Sequence, residues 1–157
     1  MFARKLYLVI AAIGTFAGPA AALEVSGSVV VSGKPDKVWY KIGAFCAIKD
    51  WHPAISKCEE TEESGIIHRK LTTKDGAKIK EKLVDKTDTS YTYEIIDSPL
   101  PVQNYRAEIG VSAEADKTRV DWKSTFVAKG VSDAEAKKVI SEIYKAGLDK
   151  IANTAGD

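Results

Sequence analysis

Apolar residues recur first at alternate positions, then at helical spacing, then at alternate positions through the middle of the chain, and finally at helical spacing again. Leu23 to Ser32, LEVSGSVVVS, is rich in β-branched residues and alternates, which predicts a strand. GKPDKVWYKIGAF follows. Pro35 suits a first helical turn, and Val38, Trp39, Ile42 and Phe45 recur at helical spacing. A short broken helix is predicted through Ala47–Asp50, ending before Pro53.

From Ser56 to Lys129 the period is mostly two, which predicts an antiparallel meander. Its register is legible at the turn TKDGA, Thr73 to Ala77. A two-residue loop, Asp75-Gly76, would mix Lys70 and Glu81 with His68 and Leu83 on one face. A three-residue loop, Lys74-Asp75-Gly76 with Gly76 left-handed, pairs Leu71 with Ile79, Arg69 with Glu81 and Ile67 with Leu83. His68, Lys70, Lys78, Lys80 and Lys82 then all face water. A slip of one residue moves every side chain to the other face, so the cleaner sorting selects the three-residue loop.

Tyr91, Tyr93 and Ile95 continue the inward face across a short loop near Thr87–Thr89, and DSPLPVQN makes a two-proline connection. Tyr105, Ala107, Ile109 and Val111 then alternate with Arg106 and Glu108. After Asp116-Lys117, Val120, Trp122, Ser124 and Phe126 alternate with Arg119, Asp121 and Lys123. One apolar and one charged face per strand means a sheet wetted on its outer side. The tail opens on a capping box, Ser132 with Glu135, and carries Val139, Ile140, Ile143, Tyr144, Leu148 and Ile151 on one broad stripe to about Ala152. The expected class is α+β: a strongly curved antiparallel sheet, two short helices after the first strand, and one long C-terminal helix covering the apolar face.

The N-terminus changes the picture of where this domain works. MFARK is basic, LYLVIAAIGTFAG is apolar but short for a bilayer span, and PAAA offers an A-x-A site at Ala20 and Ala22. Residues 1–22 read as a secretory signal cleaved before Leu23, leaving 23–157 as one periplasmic domain without a membrane span. Of 157 residues, 23 are Lys or Arg and 22 Asp or Glu, a formal charge of +1. Removing Arg4 and Lys5 with the leader leaves 21 basic against 22 acidic residues, a formal −1. That balance offers no electrostatic reason to expect nucleic acid as a partner.

PDKVWYKIGAF, DWHPAI, RKL with DG and IKEKL, YTYEI with PLPVQNY, and the terminal helix together resemble the START-related helix-grip (SRPBCC) superfamily. They are most similar to its polyketide cyclase/dehydrase and lipid-transport group. The resemblance implies a deep, mostly apolar cavity between sheet and long helix, used for hydrophobic or amphipathic small molecules. Size and export also make the chain similar to the MxaD-type periplasmic accessory proteins of methanol oxidation, which would imply a periplasmic oxidoreductase as partner.

The only cysteines, Cys46 and Cys58, flank Trp51-His52-Pro53. A thiol–His52 dyad, a zinc site lacking a fourth ligand, and a disulfide are the three available chemistries. In an oxidising compartment an even pair reads as a disulfide, so no metal is expected. Trp51 would cap a cavity mouth or be core; His52 would donate to a ligand or satisfy a backbone carbonyl. Arg69 and Glu81 face inward, where charges must pair. They form a salt bridge, or orient a polar ligand head, or Glu81 acts as a general base, with His52 the other weak catalytic candidate. Tyr91, Tyr93, Tyr105, Trp122 and Tyr144 would line the pocket or fill the core, and Gly147 would leave room for a ligand or permit close packing. No phosphate loop, nucleophile elbow, metal-binding histidine pair or dinucleotide fingerprint occurs, so no cofactor is expected. The reading favours a non-enzymatic binding protein, with a cyclase or dehydratase as the enzymatic alternative.

Overall fold

The computed structural model describes residues 21–154. Apart from Ala21 and Ala22, the expected leader lies outside them. Strand β1 (Leu23–Val31) leads into helix α1 (Pro35–Ile42), a single 3-10 turn (Phe45–Ala47) and the one-turn helix α2 (Ile48–Trp51). Six strands follow: β2 (Ile55–Glu63), β3 (Ile66–Thr73), β4 (Lys78–Lys86), β5 (Ser90–Asp97), β6 (Val102–Glu114) and β7 (Lys117–Ala128). Helix α3 (Asp133–Thr154) is the last element of the described residues and runs two residues beyond the expected stop. The strands form one antiparallel sheet in the order β1-β7-β6-β5-β4-β3-β2, the meander and long helix that the periodicity predicts. Among the described residues no helix is long and apolar enough to cross a membrane.

The register is the one the three-residue turn demands. Thr73 N–H donates to the Ala77 carbonyl at 3.0 Å, Gly76 sits at φ +91°, and Leu71 faces Ile79 while Arg69 faces Glu81. A residue with a Cβ is strained at that φ, which is why the turn needs glycine there. The β3–β4 ladder stops at His68–Lys82. Ile67 is therefore not paired with Leu83 as expected, and stands partly in solvent. Beyond that point β3 is no longer paired with β4, and the tip of the β2–β3 hairpin is exposed, with Glu63 bonded back to Lys80 at 2.9 Å.

The inner face is filled by Leu71, Ile79, Tyr91, Tyr93, Tyr105, Ile109, Val120, Trp122 and Phe126, closed from above by Ile140, Tyr144, Leu148 and Ile151 of α3. The capping box that starts α3 forms as read: Ser132 Oγ accepts from Glu135 N–H at 3.2 Å, and the Glu135 carboxylate accepts from Ser132 N–H at 3.1 Å. The outer face carries cross-strand ion pairs, among them Lys82–Glu94–Arg106 with both contacts at 2.8 Å. Such exposed pairs add little stability, but they keep that face wet. At one rim, β2 presents Glu59, Glu60, Glu62 and Glu63, all exposed.

Candidate functional site

The expected cavity exists, but it is small. It lies between the sheet and the first half of α3 and holds about 110 Å³, below the roughly 300 Å³ at which drug-sized ligand pockets begin. Its wall is mostly apolar: Ile48, Ile55, Leu71, Ile79, Ile140 and Ile143 contribute, with Leu100 from the β5–β6 connection. Of the residues singled out in the sequence, His52, Glu81, Tyr93, Tyr105 and Trp122 line it. Trp51, Arg69, Tyr91 and Tyr144 do not; they stand behind the wall.

Large side chains account for the size. Trp122 stacks on Tyr144 with centroids 4.1 Å apart, and Trp51 meets Trp122 edge-on at 5.4 Å. Trp51 is buried in this stack, so it is core and not a cap over the mouth. Gly147 does not leave room. A Cβ built there would lie 2.8 Å from His52 Cδ2 and 3.0 Å from Cζ3 of both Trp122 and Trp51. The missing side chain is a notch into which three rings already fit.

His52 uses that notch. Its Nε2 lies 3.0 Å from the Ile143 carbonyl, one helical turn before Gly147, and its Nδ1 lies 3.2 Å from the Ala54 N–H. A neutral imidazole with its proton on Nε2 satisfies both contacts, donating to Ile143 and accepting from Ala54. Burial holds its pKa below the ordinary histidine value, against the raising effect of the Ile143 bond and with some help from Arg69. Both ring nitrogens are occupied by backbone. His52 is thus a latch between the α2–β2 connection and α3, which leaves it poorly placed as a general base or ligand donor.

Arg69 and Glu81 form the buried ion pair, Nε donating to Oε2 at 2.5 Å, with side chains 0% and 6% exposed. Arg69 Nη1 also donates to the Phe45 carbonyl and weakly to the Tyr91 hydroxyl at 3.4 Å. The guanidinium carbon sits 4.1 Å over the Phe45 ring and 5.0 Å from the Tyr93 ring centre, close enough for cation–π attraction. Burial works against the Arg69 cation, but Glu81 and the two tyrosines outweigh it and its pKa is raised. Burial raises the Glu81 carboxyl, opposed by Arg69. Phe45 is fixed from its other side, because Cys46 is joined to Cys58 of β2 with Cα atoms 5.5 Å apart. With both sulfurs bonded, neither cysteine serves as a nucleophile or a ligand.

A chain of polar groups crosses the cavity's inner end. Trp122 Nε1 donates to the Tyr93 hydroxyl at 3.1 Å, Tyr93 and Tyr105 hydroxyls are 3.5 Å apart, and Tyr105 and Tyr144 hydroxyls 2.6 Å. Burial holds the Tyr93 and Tyr105 phenols well above their ordinary pKa, so they remain neutral donors at any physiological pH. Periodicity placed these tyrosines on the inward face but carried no signal that they bond to one another. His52 does satisfy a backbone carbonyl, one of its two expected roles, but that the carbonyl is Ile143, 91 positions away, was equally hidden.

A curved antiparallel sheet gripping one long helix over a small apolar cavity with a few convergent polar groups defines a helix-grip protein. The chain belongs to the polyketide cyclase/dehydrase and lipid-transport family, whose model matches residues 22–156. Among solved structures it is 35% identical to the protein XoxI of Bacillus cereus, with TM-score 0.79 over 85% of this chain and 96% of that one. It is 34% identical to an uncharacterized protein of Bacillus thuringiensis, with TM-score 0.79 over 86% of this chain and all of that one. The ZhuI aromatase/cyclase of a Streptomyces species shares the fold at 18% identity, with TM-score 0.71 over 86% of this chain and 94% of that one. No curated protein matches the chain by sequence.

Proposed function

We propose that this is an exported, non-enzymatic protein that binds a hydrophobic small molecule in the cavity between sheet and α3. The observation that carries the reading is the wall itself: apolar surface on nearly every side, with Glu81, Tyr93 and Tyr105 among the residues that line it. Small-molecule sites characteristically combine such a wall with a few placed polar groups. Against catalysis stand the two engaged nitrogens of His52 and the hold of Arg69 on Glu81. The leader-like first 22 residues and the Cys46–Cys58 bond support a periplasmic setting.

Native mass spectrometry of the mature protein taken from its own periplasm tests this. A discrete extra mass that is lost on denaturation is the expected result; a bare protein overturns the carrier reading. The outer face favours a second reading, an accessory role beside a periplasmic oxidoreductase of the kind the MxaD-type resemblance implies. Its Lys82–Glu94–Arg106 relay and Lys123–Glu108 pair offer a partner a broad charged surface. Retention of an oxidoreductase on the wild type and its loss from Arg106→Glu would support that role.

A further inference from the structure

The sheet is breached where β5 and β6 part. Their ladder ends at Glu94–Arg106, although β5 runs on to Asp97 and β6 begins at Val102. Past that pair each strand holds only its other neighbour. Ile95 and Asp97 stay on Glu81 and Lys80 of β4, with Ile96 bulged between them, while Val102 and Gln103 stay on Ala128 and Val127 of β7. Asn104 and Tyr105 form a second bulge with no register partner on either side. Asn104 takes a left-handed φ of +53°, which asparagine tolerates better than most residues. Bulges of this kind disrupt a ladder and bend the strand that carries them.

The opening is a cleft of about 570 Å³, within the roughly 300–1,000 Å³ of sites that hold a ligand. Ile95 and Tyr105 line both this cleft and the inner cavity, and so stand between the two. Ile96, 49% exposed, gives the cleft an aliphatic surface. Asp97, Gln103, Asn104 and Lys129 line it with side chains that make no hydrogen bond or ion pair among the described residues, whereas Glu94 and Arg106 are paired with each other. The site thus offers a free carboxylate, a free ammonium and two free amides beside two strand edges that have lost their neighbour. Such edges are what an incoming extended chain pairs with.

We propose that this cleft is a docking site for an extended peptide segment of a partner protein, which adds to the free side of β5 at Ile95–Asp97 as a short strand. An aliphatic side chain of the segment lies on Ile96, a basic one pairs with Asp97 and an acidic one with Lys129. Main-chain bonds supply the affinity and those side chains the choice. A uniformly basic or uniformly acidic segment meets one like charge. The site is independent of what the inner cavity holds.

The test starts from peptides selected from a randomised displayed library on the immobilised mature protein. The tightest is synthesised and titrated into the protein by amide-detected NMR. The signals of Ile95–Asp97 and Gln103–Tyr105 should move, and those of Glu60 and Glu62 on the open β2 edge should not. An N-methyl group moved along the peptide should weaken binding about tenfold at alternate positions and little between them, because a strand turns every second N–H toward its neighbour. Asp97→Lys, at an exposed position, should weaken binding about tenfold, and exchanging the peptide's basic residue for glutamate should restore it. Enrichment of no peptide, shifts confined to another face, or N-methyl losses without alternation overturn the proposal, and each is read on the wild type. A peptide bound here that ignores Asp97→Lys overturns the assigned charge pairing.

Discussion

Replacing Gly147 by alanine sets two effects of opposite sign against each other. In an isolated helix the change would stabilise by about 1 kcal/mol, because glycine loses the most backbone freedom on folding. Here the new methyl would stand 2.8 Å from His52 Cδ2 and 3.0 Å from ring carbons of Trp122 and Trp51. The obstacles are rigid rings, themselves packed against Tyr144 and the sheet. Forcing a methyl into such a core costs about 1–3 kcal/mol. If His52 yields, its bonds to the Ile143 carbonyl and Ala54 N–H go too, at about 1 kcal/mol each. The net expectation is a loss of about 1–3 kcal/mol. For a domain of this size that lowers the melting temperature by about 3–10 °C. Thermal melts followed by near-ultraviolet circular dichroism measure it, with Ser141→Ala on the exposed side of α3 as a propensity control. A Gly147→Ala protein that melts at or above the wild-type temperature would refute the notch.

Removing one partner of the buried pair should be far costlier than removing both. Arg69→Met is expected to lose about 3–5 kcal/mol in urea denaturation, and Arg69→Met with Glu81→Leu to recover most of it. Burial depresses the His52 pKa, so the unfolded chain takes up a proton near pH 6.5 that the native state resists. The stability this gives is full above that pH and is lost as pH falls through the native value. The gap in denaturation midpoint between wild type and His52→Gln should accordingly narrow from pH 8 to pH 5. Reducing Cys46–Cys58, which closes a loop of 12 residues, should cost about 3 kcal/mol, read as a lower melting temperature in a thiol reductant.

The frame of the fold was legible because each strand sorts its residues so sharply. Lys74-Asp75-Gly76 set the β3–β4 register, and through it the meeting of Arg69 and Glu81, since any slip would have buried lysines. The pairing of Cys46 with Cys58 was expected from an even pair of cysteines behind leader-like first residues. What stayed hidden depends on side chains meeting from distant elements. Nothing in a period of 3.6 says that Gly147 is occupied by His52, Trp51 and Trp122. Nor does inward-facing tyrosine distinguish Tyr93 and Tyr105 at the cavity wall from Tyr91 and Tyr144 behind it. Cavity volume is a small difference between large packed volumes, and it shifts with every ring.

The glutamates of β2 bear on crowding. That strand borders the sheet with one side unpaired, and an open rim of backbone donors and acceptors invites another chain to add itself. A second copy laid antiparallel along β2 would bring Glu59, Glu60, Glu62 and Glu63 against the same four residues, with Lys57 as the one nearby cation on the strand. Like charges placed face to face across a strand pair repel. Glu59 is already paired with Lys57 and Glu63 with Lys80, so Glu60 and Glu62 contribute most to the repulsion that disfavours a second copy along this rim.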